Sequence, residues 1–518
     1  MFSFPWWLSL SIGFLSLSEE ILWVRVVGFA FRTLPFAFSF VLACYLVGIA
    51  LGAAYGKRLC GRARDLYVAA GIVLAIAALA DVLTPLLIGH VLLPDNPHRL
   101  GEFGIAIIVA AGLKSVLFPI AHHLGSVTEG PRVGRTVSRI YFGNIIGATL
   151  GPLVMGFVAL DHLSADECFA LTGAACLLIS VVCVLKSGRR VYIFVPLAAA
   201  LLLSTFIAQV LRPGPGSLQM QAIGGASAMT HFAANRHGVI HTARSEVGDL
   251  IFGGNVYDGI ASVDVDKNAN RLDRLYLLAL LQPQPRNVLA IGLSGGAWVR
   301  AVQGFPGVER IDVVEINPAY VDLIRAYPEM APLLADPRLH LHIDDGRRWL
   351  KRNPDTRFDL IIQNTTYHWR ANAGNLLSRE YFTEVRRHMN AGAVVTTNTT
   401  GSYDVLATQQ AVFPYVYLYF NFAYASDHPL TPDLTRLAAV RRPDGTPVLG
   451  ATVPPPRSVA ADLLSDRMWP AQDFISQSGV DAQVITDDNL LSEYRHGQRF
   501  GPALLQALLP PTPTPFAK

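Results

Sequence analysis

Seven stretches of roughly 20 residues, all before position 213, are too apolar to lie on the surface of a water-soluble domain. They run over 5–27, 34–56, 66–90, 103–121, 140–160, 167–185 and 191–211. A helix needs about 20 mostly apolar residues to cross the hydrocarbon core of a bilayer, so residues 1–212 are expected to form an all-α bundle of about seven transmembrane helices. Hydrophobic residues make up 51% of the 518-residue chain and charged residues only 16%. That imbalance belongs to the first 212 positions; the rest has the balance of an ordinary globular domain. The net charge of +3 is too small for this length to imply nucleic acid. The first segment lacks a basic leader and a small-residue cleavage site, so it reads as a span.

Basic residues gather in alternate loops, KRLCGRAR (57–64), PRVGRTVSR (131–139) and KSGRR (186–190). The positive-inside rule puts these in the cytoplasm, and with seven spans the carboxy-terminal half falls outside it. Charges within a span are costly and face a bundle interior. Glu19 and Glu20 lie less than two turns from Arg25, and one acid is expected to pair with Arg25 or with Lys114 of the fourth span. An ion pair that fixes helix packing is the first reading, and a substrate or ion path the second. Asn144 in YFGNIIGATLG sits among glycines spaced for close helix contact. All five cysteines (Cys44, Cys60, Cys168, Cys176, Cys183) fall in the apolar half without metal-ligand spacing and read as small hydrophobes. No metal is expected.

Residues 213–236, beginning PGPGSLQMQAIGGASA, read as a linker. Alternating apolar residues around a Gly-Gly-Asn turn predict a β-hairpin subdomain over 237–286, ending in the helical stretch LDRLYLLALL. Over 287–450, buried strands NVLAI, RIDVVEI, LHLHI, FDLII and AVVTTN alternate with helical patterns. That order predicts an α/β, Rossmann-like doubly wound domain. Residues 451–518 read as a carboxy-terminal extension with a Pro-rich tail.

The turn GLSGG (292–296) between the first strand and its helix lets backbone N–H groups approach a ligand. Glu315 ends the second strand 19 residues past Gly296, where an acid can accept from ribose hydroxyls. IDDGRRWL (343–350) puts Asp344 and Asp345 at the third strand end, where Asp345 either caps the next helix or accepts from an adenine amino group. Strand ends that converge on one crevice are the expected ligand site of such a sheet. Candidate nucleoside-binding residues are therefore Gly292, Ser294, Gly295, Gly296, Glu315, Ile316, Asp344, Asp345 and Gly346.

NVLAIGLSGGAWVRAV, IDVVEINP, IDDGRRWL, FDLII and VYDGIAS together resemble the ordered blocks of the spermidine synthase family of polyamine aminopropyltransferases. EEILWVR, YLVGIALGAAYG and YFGNIIGATLGPLVMGF resemble the multi-pass segment fused to that domain in some bacterial relatives. The resemblance implies S-adenosylmethionine or its decarboxylated form as substrate and methylthioadenosine as product, with Glu315 on the ribose and Asp345 on the adenine. It also implies a substrate-gating role for the hairpin, and makes a homodimer plausible.

One block departs from the family. Polyamine-forming relatives carry an Asp-Ser-Ser-Asp type loop after the fourth strand, whose first Asp holds the amine and accepts its proton; here the loop reads Asn364-Thr365-Thr366-Tyr367. Ser262 stands where those relatives usually have Gln, and no Asp-Glu pair follows it. Asn364 is neutral and is no base. Asp264 and Asp266 are possible substitutes, with a solvated strand face as the plainer reading. Asn364, Tyr367 and His368 are the candidate catalytic residues, against a bland account of YHW as a packed loop. Three function classes stay open: sulfonium-dependent alkyl transfer to an acceptor other than a standard polyamine; a lyase or methyltransferase; and a non-catalytic nucleoside-regulated sensor or transporter. Loop charges place this half outside the cytoplasm, whereas S-adenosylmethionine is made inside. Cofactor supply is given the greater weight, so the expectation is a multi-pass inner-membrane protein with its soluble half in the cytoplasm.

Overall fold

The computed structural model describes residues 3–91, 99–129, 133–210, 229–364, 367–450 and 458–495. Most of the expected linker, most of the Pro-rich tail, and Thr365 and Thr366 lie outside the described residues. The chain divides into two compact units, Met1–Val239 and Ile240–Lys518.

In the first unit every expected apolar segment is a helix: α1 Phe4–Ala30, α2 Phe36–Arg62, α3 Leu66–Val91, α4 Arg99–Ser115 running on into α5 Leu117–Glu129, α6 Val133–Val154, α7 Ala165–Lys186 and α8 Phe194–Val210. Among the described residues five stretches are long and apolar enough to cross a membrane: Phe36–Arg62, Leu66–Thr84, Leu100–Ser126, Gly134–His162 and Ala165–Lys186. The expected seven are therefore met only roughly. The first segment is long, at 27 residues, but its serines and Glu19, Glu20 and Arg25 dilute its apolarity. The last, Arg190–Thr205, is apolar but short. Outward-facing Leu46, Leu51, Ile105, Phe157 and Leu178 are each more than half exposed, as helices in contact with lipid require.

Small residues set the helix spacing. A Cβ on Gly147 would strike the Leu10 carbonyl, and one on Gly52 would strike Gly112, so α1 meets α6, and α2 meets α4, backbone to backbone. Asn144 Nδ2 donates to the Ser9 carbonyl at 3.1 Å, which ties α6 to α1. Glu19 pairs with Lys114 at 2.6 Å, and Asp81 on α3 pairs with the same ammonium at 2.6 Å, all fully buried. Arg25 instead donates to the carbonyls of Asn235 and Arg236. Cys168, Cys176 and Cys183 are buried thiols.

After β1 Met229–Asn235 the chain forms antiparallel strands β2 Gly238–Ala243, β3 Leu250–Gly253 and β4 Val256–Ile260. Helix α9, Asp273–Leu281, then leads into a larger sheet in which every residue of that helix is buried against its neighbours. Strands β5 Asn287–Ile291, β6 Arg310–Glu315, β7 Leu339–Ile343, β8 Phe358–Gln363 and β9 Met389–Asn398 are parallel, and β10 Tyr415–Tyr419, β11 Phe422–Ser426 and β12 Trp469–Pro470 extend the edge antiparallel. Spatial order is β12-β10-β11-β9-β8-β5-β6-β7. The order reverses between β5 and β8, so the crevice at their carboxyl ends is where a ligand belongs.

Candidate functional site

The apolar strand β5 ends in a turn that only unusual backbone can make. Gly292, Ser294 and Gly296 have φ of 91°, 48° and 79°. Gly296 then starts helix α10, Ala297–Val302. Glu315, 4% exposed at the end of β6, holds this turn: Oε2 accepts the Leu293 N–H at 2.8 Å and Oε1 the Asn317 N–H at 2.8 Å. Burial pushes its carboxyl up to about 7 against the pull of those N–H donors. Ile316 and Ile343, about half exposed beside it, offer an aliphatic ledge. Asp345 Oδ1 accepts the Arg348 N–H at 2.8 Å and caps helix α11, Gly346–Arg352. Asp344 faces Arg348 and Arg352. A Cβ on Gly346 would meet Ile291 Cγ2 at 2.6 Å, so that glycine lets the helix start close to β5.

A narrow pocket beside the turn is lined by Asp258, Asn270, Ser294, Gly295, Trp298 and Asn364, among others. Asp258 is its one carboxylate among the described residues. Its Oδ2 accepts from the Tyr320 hydroxyl at 2.5 Å, and the Ser294 hydroxyl donates to its carbonyl at 3.1 Å. Burial pushes the Asp258 carboxyl up to about 6, opposed by those hydroxyls and the charge of Arg370. Asp264 and Asp266 do not line the pocket. Asp264 caps a turn and pairs with Lys267, and Asp266 is held by Arg442 at 2.6 Å.

Asn364 lines the pocket at the end of β8. Its Oδ1 accepts from Asn398 Nδ2 at 3.0 Å. Asn398 Oδ1 accepts from Asn421 Nδ2 at 2.7 Å and from the Thr400 N–H at 2.9 Å. Asn421 Oδ1 accepts from Arg274 Nη1 at 2.8 Å. Arg274 is buried at the start of α9, and burial lowers its guanidinium to about 10, which leaves it charged at neutral pH. His368 is buried with Nδ1 2.6 Å from Thr400 Oγ1. The rings of Tyr367 and Trp369 lie 5.3 Å apart.

The turn, Glu315 and Asn364 thus meet in one crevice, while Asp258, Arg274, Asn270 and Asn421 were missed in the sequence. A charged pair, Asp273 and Arg274, in an otherwise apolar helical stretch was the available signal for the arginine. Asp258 lies inside the VYDGIAS block that carries the resemblance, but that block reads as a gating hairpin and does not single out its acid.

Residues 276–415 match the spermine/spermidine synthase domain. Spermidine synthase 1 of Pisum sativum is 36% identical over 116 residues, which is 22% of this chain and 34% of the relative. The polyamine aminopropyltransferase of Alkaliphilus oremlandii is 36% identical over 101 residues, 19% of this chain and 35% of the relative. The chain thus spans about a third of the length of the curated relatives it matches. A solved spermidine synthase in complex with the transition state analogue AdoDATO aligns with 40% of this chain and 78% of its own, at 19% identity and a TM-score of 0.36. Residues 276–415 are thus similar to the spermine/spermidine synthase domain, and among the described residues five apolar stretches of membrane-crossing length lie ahead of them.

Proposed function

We propose that the protein is a membrane-bound enzyme that binds S-adenosylmethionine or its decarboxylated form and transfers an alkyl group of the aminopropyl type from the sulfonium. The acceptor is a molecule other than a standard polyamine. Buried Glu315 carries this reading: a carboxylate that pins the glycine turn from the neighbouring strand end is where ribose hydroxyls find their acceptor. Gly292, Ser294, Gly295 and Gly296 would lie along the nucleoside, Ile316 against its base, and Asp345 and Gly346 at its far edge beside Asp344. Asn364 and Tyr367 stand at the reacting end, with His368 as a positioning residue.

In the transfer, the acceptor's lone pair forms a bond to the sulfonium-bound carbon. The carbon–sulfur bond breaks, its electrons stay on sulfur, and neutral methylthioadenosine leaves. The acceptor's proton goes to Asp258, whose raised carboxyl suits a base near neutrality. A second reading, a lyase or methyltransferase, draws its support from Asn364, which removes the family's usual amine-binding acid. Detergent-purified protein incubated with each donor, with and without putrescine, and followed by mass spectrometry, separates them. Methylthioadenosine that needs an added acceptor supports transfer. Its release from S-adenosylmethionine alone supports the lyase, and adenosylhomocysteine supports methyl transfer. Bound nucleoside with no turnover would move the function to a sensor.

A further inference from the structure

The row of amides behind Asn364 has a fixed direction. Arg274 has only N–H groups to offer, so Asn421 must turn its oxygen to the guanidinium and its NH2 onward. The Thr400 backbone N–H likewise demands the oxygen of Asn398. Asn398 therefore presents NH2 to Asn364, and that bond turns the Asn364 oxygen toward Asn398. What Asn364 turns toward the pocket it lines is then its own NH2, a donor. The sign at the far end agrees. Arg274 sends its hydrogen bonds to neutral oxygens, those of Arg271, Asn270 and Asn421. Its guanidinium lies 4.7 Å from the ring of Phe422 and 5.5 Å from that of Trp298, which lines the pocket. Asp273, next to it in the chain, offsets part of that charge but is itself paired with Arg271 at 2.9 Å, so the buried guanidinium still raises the local potential.

We infer that the substrate group reaching Asn364 is a carboxylate. Whatever a cationic amine gains from Asp258 elsewhere in the pocket, at Asn364 it would meet an N–H donor and an arginine's field, whereas a carboxylate accepts from the one and is attracted by the other. This deepens the proposed function and rests on its nucleoside site. Two molecules carry that chemistry: S-adenosylmethionine itself, with its amino-acid tail intact, or an acceptor that is an amino acid.

Asn364→Asp is the clean variant. It keeps the shape and the bond from Asn398, and replaces the donor facing the pocket by a carboxylate oxygen. The test is calorimetric titration of full-length protein in detergent with methylthioadenosine, S-adenosylmethionine and decarboxylated S-adenosylmethionine, together with mass spectrometry of turnover. Wild type binding S-adenosylmethionine at least tenfold more tightly than the decarboxylated form, with that preference lost in Asn364→Asp, places the carboxylate on the donor. Equal donor affinities, with methylthioadenosine released from the decarboxylated donor by α-amino acids and not by putrescine, place it on the acceptor. Tighter binding of the decarboxylated donor together with use of putrescine overturns the inference while leaving the nucleoside site standing. Failure of methylthioadenosine to bind at all removes the nucleoside reading, and this inference with it.

Discussion

Glu315 and Asp258 are carboxyls raised above their ordinary range for the same reason, and they predict different pH behaviour. Ionising Glu315 in the folded chain is opposed up to about pH 7, against 4.5 for the free group. The unliganded domain therefore loses stability as pH rises between those values. Ligand binding runs the other way, because ribose hydroxyls donate best to the ionised form. Affinity for methylthioadenosine is expected to strengthen as pH rises through about 7, measured by calorimetry across that range. Glu315→Gln should flatten the profile and weaken binding about tenfold or more, since a hydrogen bond to a charged group contributes about 1.5–3 kcal/mol. Unchanged affinity would remove Glu315 from the site. Asp258→Asn should lower kcat by about 10²–10⁴, the usual worth of a general base, with little change in methylthioadenosine affinity. The acid limb of the rate profile near pH 6 should vanish with it. Glu315 was legible because its spacing from the glycine turn is a local pattern. Asp258 was not, since it reaches Ser294 across 36 residues of chain, and the amide row joins positions 147, 23 and 34 residues apart.

Helices and strands were easier to read than contacts between them. Apolar runs and the strand–turn–helix alternation follow from the period of each element, so their positions came out nearly as expected. The ion pair of Glu19 with Lys114 was among those foreseen, but the second partner was not, because Asp81 is one acid in the apolar run LAIAALADVL and nothing nearby marks it. Lys114→Met would leave two carboxylates facing each other in a dry interior, at a cost of about 3–5 kcal/mol. Thermal unfolding in detergent should show a clear loss of stability, and adding Glu19→Gln should recover part of it. A Lys114→Met protein as stable as the parent would mean water reaches the site. Gly147→Leu, by contrast, should separate α1 from α6 through bulk alone, since its side chain would enter the space of the Leu10 carbonyl.

At the scale of the whole molecule, loop charge and nucleoside supply disagree about sidedness, and a reporter fused after Lys518 decides between them. Activity confined to the cytoplasm is the expected result, and activity only outside it would reverse the assignment. Lys114 adds a consequence of a different kind, in the order of synthesis. Glu19 leaves the ribosome 95 residues before the ammonium that neutralises it, and Asp81 leaves 33 residues before. Each acid alone at the centre of a bilayer costs about 2.5–3.5 kcal/mol. Helices α1 and α3 each carry that cost until α4 supplies the ammonium. A nascent chain stopped short of Lys114 is then expected to insert α1 and α3 less completely than one that reaches it.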